Sequence, residues 1–404
     1  MRFIDCFLTI KILMVGYPLE MALLYIALLI VASRLLGELF VRARQPAMIG
    51  EILAGMILGP MMLSVVEIIP EIRLFIVLGI YFLMFLVGYE EVSIEELLKA
   101  MRPSLIVSSL ISFFLPFTAC LLVFNLVLAM DSALSALLSS IIALTSLGVV
   151  VRIASELQML RSKYGLRLTS MAVLNEMTGL VLASAMLEML IHGETPGYAV
   201  MAIRVLLFFL LAGLIGYFVV PKVVRKAEMV FKVKAASFAT LIAIILIFAY
   251  LSSLAGLHGV LGSLIAGFAM SRMKWDPVIV KTVDQLKGFA HGIFIPLFFA
   301  GAGLYVTRDF LEMEVFAACM IALAFVLSKI GTGLVISKLM RAEQKLMVTL
   351  MQLAKGGVEI ALLSFALSLG LLPVEVYSYV IILIFLLTVV SSSILNMRRM
   401  KYIA

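Results

Sequence analysis

Polar positions in this chain are clustered, and long apolar runs separate the clusters. The segments Ser104–Met130, Ser132–Val151, Gly288–Thr307 and Val376–Met397 contain no Asp, Glu, Lys or Arg. A helix needs about 20 residues to cross the roughly 30 Å of a bilayer's hydrocarbon. Each run therefore predicts a membrane-spanning helix. Ala235–Ser271 is too long for one crossing, and Gly256, His258 and Gly259 offer a turn inside it. Read this way, the chain predicts about thirteen spans. They cover residues 20–41, 46–66, 72–89, 103–130, 132–154, 167–191, 198–220, 235–254, 258–271, 284–305, 312–337, 345–370 and 374–396. The expected fold class is an all-α polytopic membrane protein.

Composition agrees: 64% of the 404 residues are hydrophobic and 14% are charged, against about 25% charged in soluble domains. Charge adds an orientation. With the N-terminus outside and thirteen spans, the Lys and Arg residues outside are Arg2, Lys11, Arg73 and Arg308. Arg34, Arg204, Lys287, Lys329 and Lys355 fall within spans, and the other basic residues lie inside. The positive-inside rule then places the C-terminus in the cytoplasm of a cell (plasma) membrane. The net charge of +7 reflects that orientation; no basic aromatic patch suggests nucleic acid. Met1–Tyr17 carries Asp5 and Lys11 and lacks an A-x-A site, so an interfacial helix is expected there, not a signal peptide. Cys6, Cys120 and Cys319 are scattered and imply neither a disulfide framework nor a metal cluster.

Candidate chemistry sits where polar residues interrupt the apolar runs. Asn175-Glu176 lies within Leu168–Leu187. A carboxylate at that depth costs on the order of 3 kcal/mol and usually marks an ion or proton pathway. Glu51, Lys329, Lys355 and Glu359 lie at similar depth. Thr145-Ser146-Leu147-Gly148 and Lys355-Gly356-Gly357 are poor helix interiors and good sites for an unwound turn. They fall in spans seven apart. An odd offset enters the membrane from the opposite side, so spans 1–6 and 8–13 are expected to form inverted repeats, with 198–220 as linker helix. The plain alternative is ordinary small-residue helix packing.

At these residues the chain resembles the monovalent cation–proton antiporters, which include sodium/proton antiporters and the membrane part of Kef-type potassium systems. Pro46-Ala47-Met48-Ile49-Gly50-Glu51-Ile52-Leu53-Ala54-Gly55, followed by Leu58-Gly59-Pro60, resembles the family's P-x-x-x-G-E-x-x-A-G…L-G-P signature. Phe85-Leu86-Val87-Gly88-Tyr89-Glu90 resembles its F-L-x-G-x-E. Val260-Leu261-Gly262 to Ala266-Gly267, and Phe294 to Phe299 with Gly303-Leu304, are similar to its later motifs. Lys355-Gly356-Gly357-Val358-Glu359 resembles its [R/K]-G-x-V-E. The resemblance implies two discontinuous helices that cross where ions bind. It also implies a core (103–191 and 312–396) that moves against a scaffold (20–97 and 235–305), and a homodimer. Asn175-Glu176 matches the family's Asn-Asp pair, with Glu in place of Asp; the Asn form is linked to electroneutral exchange.

Roles follow with their bland alternatives. Glu176 can hold either a proton or a small cation, which couples two fluxes through one site; otherwise it is a hydrogen-bonded structural acid. Asn175 either ligates the ion, orients Glu176 or packs. Thr145 and Ser146 offer hydroxyl and freed backbone oxygens to Na⁺, or back-bond to their helix; Glu176 with Thr145 is the expected Na⁺ ligand set. Lys329 is expected to neutralise half-helix C-terminal dipoles or pair with a carboxylate. Lys355 and Glu359 fit an i,i+4 ion pair at the break. Glu51 either lines an access funnel or bonds across a helix interface. A packed or hydrogen-bonded residue is the simpler reading of His291, a pH sensor the sharper one.

The function expected is secondary active exchange of a monovalent cation, Na⁺ first, for H⁺. The alternatives are K⁺/H⁺ exchange and a gated K⁺ efflux system. No nucleotide-binding domain follows Ala404, which weighs against the gated system. An enzyme finds no support: the sequence has no H-E-x-x-H, no paired membrane aspartates and no Ser/His constellation. No cofactor is implied. An organic-anion symporter fits Asn175, Glu176 and Lys329 less well than a cation exchanger does.

Overall fold

A computed structural model describes residues 18–90, 103–156, 163–192, 198–340, 345–353 and 355–403. The expected interfacial helix at Met1–Tyr17 lies outside them. The described residues are helices and their connections, with no strand among them. Ten of these helices are long and apolar enough to cross a membrane. The protein is an all-α, multi-span membrane protein.

The helices in chain order are α1 (Pro18–Arg42), α2 (Ala47–Leu58), α3 (Pro70–Glu90), α4 (Pro103–Leu122), α5 (Ser132–Ala143), α6 (Leu147–Glu156), α7 (Lys163–His192) and α8 (Tyr198–Phe218). They continue as α9 (Val220–Val230), α10 (Ala236–Leu254), α11 (Gly259–Met270), α12 (Pro277–Phe289), α13 (Ile295–Leu304), α14 (Val315–Leu339), α15 (Lys345–Leu353), α16 (Gly357–Ser368) and α17 (Val374–Ile403). Local chemistry sets several ends. Asp131 caps α5, accepting from the Ala133 and Leu134 amides at 2.9 and 3.1 Å, as Asp does at N-caps. Asp276 accepts from the Val278 amide at 2.9 Å ahead of α12, whose first residue is Pro277.

Two expected boundaries are corrected. Span 46–66 ends as helix at Leu58, because Gly59 is extended and Pro60 cannot donate to the helix ladder. Span 284–305 begins earlier, at Pro277. It reaches Leu304 through a wider π-type turn, Ala290–Phe294. Pro296 follows that turn. Its ring clashes with the carbonyl four residues back, and it lacks an N–H to close the normal ladder.

Packing divides the chain into two compact units. The first holds the described residues of Met1–Ile80, Phe289–Val315 and Leu367–Ala404. Here α2 packs against α1 and α13. A Cβ on Gly55 would lie 1.8 Å from the Ala300 carbonyl oxygen, so glycine is required where α2 and α13 touch. Tyr377 of α17 donates its hydroxyl to the Ala302 carbonyl at 2.8 Å. Glu51 is buried, with the half-exposed Arg34 guanidinium 3.9 Å away. That geometry pairs Glu51 with α1. His291 lies in the π-type turn and is exposed.

The second unit holds the described residues of Tyr81–Gly288 and Phe316–Ala366. In it α4, α5 and α7 pack on one another, α6 packs on α7, and α15 touches α6. A separate cluster packs α10 on α11, α8 on α11 and α9 on α10. The candidate site lies wholly in this unit.

Candidate functional site

The chain between α5 and α6 is unwound at Leu144, Thr145 and Ser146, while Leu147 and Gly148 begin α6. Between α15 and α16, Lys355 and Gly356 are non-helical, and Gly357 begins α16. Both expected interruptions are therefore real breaks, the first lying at Leu144–Ser146 rather than Thr145–Gly148, and Gly357 of the second being already helical. The two breaks touch. A Cβ on Gly356 would lie 2.1 Å from Ser146 Oγ, so the close approach depends on glycine.

An interrupted helix leaves carbonyl groups without partners at one end and amides at the other. Inside a membrane both must be met by protein groups. Two lysines meet the carbonyls that end α5. Lys329 of α14 donates to Ala143 O at 2.6 Å and to Leu144 O at 2.9 Å. Lys355 donates to Ile142 O at 2.7 Å and also to Leu144 O. Both ammonium groups are fully buried. Positive charge at a helix C-terminus is favoured by the helix dipole, the role expected of Lys329. The i,i+4 pair also forms, with Lys355 Nζ 3.8 Å from Glu359 Oε1. Lys355 goes further than its local pair, because it bridges one break to the other.

The amides that begin α6 face the acidic side of the site. Asn175 Oδ1 accepts from the Thr145 amide at 2.7 Å. Glu176 Oε2 accepts from the Leu147 amide at 3.3 Å. Ser146 acts as an N-cap: its Oγ accepts from the Val149 amide at 3.5 Å. An anion at a helix N-terminus meets both free N–H groups and the positive end of the dipole. The Glu176 carboxylate is thereby held at the start of a half-helix, with its residue only 5% exposed. At the other break, Glu359 Oε2 accepts from the Gly356 amide at 3.1 Å, reaching back from the third helical position as in a capping box.

Thr145, Asn175, Glu176, Lys329, Lys355 and Glu359 thus converge, and Ser146 joins them at the contact between breaks. Two residues were missed in the sequence. Gln352 Oε1 accepts from Thr145 Oγ1 at 2.8 Å and from Ser112 Oγ at 3.2 Å. Ser112 in turn accepts from Asn175 Nδ2 at 3.1 Å. A glutamine three residues before Lys355 in a transmembrane run was the available signal. Glu51 and His291 belong to the other unit.

The chemistry open to this cluster is narrow. It holds two buried carboxylates, Glu176 and Glu359, and a carboxylate can bind one proton or one small cation. It also holds hydroxyl and carbonyl oxygens already engaged by two ammonium groups. Among the described residues no His/Cys/Asp/Glu group has the makings of a multivalent metal site.

All-helical membrane architecture with two broken helices meeting at a carboxylate defines the class of ion-translocating membrane proteins. The chain belongs to the sodium/hydrogen exchanger family, whose transmembrane profile matches residues 24–397. It is 27% identical over 375 residues to the Na⁺/H⁺ antiporter of Enterococcus hirae, covering 92% of this chain and 96% of that protein. It is 25% identical over 373 residues to the Na⁺/H⁺-K⁺ antiporter GerN of Bacillus cereus, covering 92% and 94%. Its fold is like that of the sodium proton antiporter MjNhaP1 from Methanocaldococcus jannaschii. That match has a TM-score of 0.68 at 17% identity and covers 94% of this chain and 96% of that one.

Proposed function

We propose that this protein exchanges a monovalent cation, Na⁺ in the first place, for H⁺ by alternating access, and that Glu176 is the shared carrier. The observation that carries the proposal is the buried Glu176 carboxylate at the N-terminus of a broken membrane helix. A proton and a cation cannot both occupy one carboxylate, so competition between them couples the two fluxes. Thr145 is the second Na⁺ ligand in this reading. Its Oγ1 already accepts from Lys329 Nζ at 3.1 Å, so a cation reaching it displaces the ammonium. Lys329 and the cation then occupy the site alternately. Potassium is the second cation to test, because a relative covering nearly the whole chain is named for Na⁺/H⁺ and K⁺.

The wider arrangement proposed is a core of residues 103–191 and 312–396, built as half of each of two inverted repeats, that carries the site past a scaffold. The N-terminus is outside, the C-terminus is cytoplasmic, and the protein acts as a homodimer in the cell membrane. The exchange is electroneutral, one cation for one proton, because Asn175 stands where a second acid would supply a second charge. If Lys329 released a proton on each cycle, that stoichiometry would fail.

Proteoliposomes with an internal pH dye test this reading. Additions of Na⁺, K⁺ and Li⁺ in turn should each be compared with a non-transported cation. A cation gradient should drive a pH change, and a valinomycin-imposed potential should leave its rate unchanged. A pH response without any cation gradient would refute exchange. A rate that rises with voltage would refute electroneutrality and make Lys329 a proton carrier.

A further inference from the structure

We infer that Gln352 is a positioning residue of the exchange site: it takes the Thr145 hydroxyl proton and so turns the Thr145 oxygen's lone pairs toward the place that Lys329 and the cation share. The inference rests on the exchange reading above.

The ring joins four elements of one compact unit. Gln352 on α15 is 1% exposed. Its Oε1 receives the protons of two hydroxyls, Thr145 Oγ1 at 2.8 Å and Ser112 Oγ at 3.2 Å. A hydroxyl has one proton to give. Once Thr145 has donated to Gln352, its oxygen acts only as an acceptor, and Lys329 Nζ donates to it at 3.1 Å. Once Ser112 has donated, its oxygen likewise accepts, and Asn175 Nδ2 donates to it at 3.1 Å. The amide of Asn175 is then fixed. Its nitrogen faces Ser112 and the Ala143 carbonyl at 3.5 Å, and its oxygen accepts from the Thr145 amide at 2.7 Å. The ring closes at Thr145.

One acceptor atom therefore sets the direction of both hydroxyl bonds, while the Thr145 N–H, which can only donate, and the Ala143 carbonyl, which can only accept, fix the Asn175 amide. The oxygen of Asn175, the atom a cation would need, is engaged by backbone N–H. With Gln352 replaced by an apolar side chain, both hydroxyl protons are free to turn. The Thr145 hydroxyl can then turn its proton toward the place that Lys329 holds, and its oxygen no longer presents only lone pairs there. The consequence is read in cation affinity and choice, not only in rate.

The test is proteoliposome exchange with Na⁺, K⁺ and Li⁺ for the wild type, Gln352→Met and Gln352→Glu. Wild-type exchange fixes the reference; its absence would overturn the exchange reading and this inference together. With exchange present, Gln352→Met should change the apparent KM for Na⁺ by about fivefold or more, the worth of one hydrogen bond of about 1 kcal/mol. It should also alter the ratio of KM values among the three cations. Gln352→Glu keeps an acceptor at the same reach and should bring that ratio back toward the wild type. Gln352→Asn, one methylene shorter, draws the acceptor out of reach of Thr145 with less loss of polarity, and should shift the same ratio should Gln352→Met fail to fold. Variants that lower turnover while leaving every KM and the cation ratio unchanged would overturn the inference and make Gln352 a packing residue.

Discussion

At the first break, Leu144–Ser146, the partners come from other helices. Lys329 and Lys355 reach the carbonyls, and Asn175 and Glu176 reach the amides. At the second break the Gly356 amide is met by Glu359 of the very helix it begins, and Lys355 turns away to serve the first. The first break receives charge and the second supplies it. The two interruptions are thus chemically unequal. Glu176, the proposed carrier, sits at the receiving one. A substitution at the second break should disturb stability before chemistry, and one at the first should do the reverse.

The largest effect on stability is expected from Lys355→Met. It strips a donor from the Ile142 and Leu144 carbonyls and leaves the Glu359 carboxylate without its ammonium. Removing one member of a buried ion pair typically costs about 3–5 kcal/mol. Thermal unfolding in detergent should show that loss. Adding Glu359→Gln should return part of it, because the stranded charge is removed. A loss under about 0.5 kcal/mol, the level of an ordinary surface change, would mean that the bridge between breaks is dispensable. Gly356→Ala comes next. Its methyl would meet Ser146 Oγ at 2.1 Å and Ser146 Cβ at 2.8 Å, an overpacking worth about 1–3 kcal/mol. An unchanged melting temperature would show that the breaks do not touch. Ser146→Ala should be mildest, losing one long cap bond for about 0.5–1 kcal/mol. A larger loss, or a change in cation affinity, would move Ser146 from cap to ligand.

Much of this site was legible in the sequence because a membrane makes polar residues conspicuous. Glu176, Lys329, Lys355 and Glu359 stand out against apolar runs, and each lies at the junction of the two breaks. Glycine and hydroxyl residues located the breaks themselves. What could not be read was direction and partnership. Ser112 and Gln352 carry no charge, and serine is common in membrane helices, so only the polar Gln352 in an apolar run gave a signal, and a weak one. Their role depends on α4 and α15 meeting at Thr145, which is tertiary information. Lys355 looked like the local partner of Glu359, and four-residue spacing does bring them together; its longer reach to Ile142 and Leu144 is invisible along the chain. The helix of residues 46–66 was overrun because hydropathy continued past Leu58, where Gly59-Pro60 had already stopped the ladder. Motif glycines divide as well. Gly55 serves close helix packing and Gly356 serves the site, a distinction only the structure draws.

The central claim is that one carboxylate, Glu176, carries both the proton and the cation. Cation-driven pH change in proteoliposomes, measured for Glu176→Gln beside the wild type, tests it most directly. The amide can still accept from the Leu147 amide, so the variant should fold and melt like the wild type. It can neither release a proton nor balance a cation, so exchange should fall to the level of empty vesicles. Glu176→Asp, one methylene shorter, should keep part of the activity with an altered apparent affinity. Near-normal exchange by a well-folded Glu176→Gln protein would contradict the account and send the search for the carrier to Glu359 or Lys329.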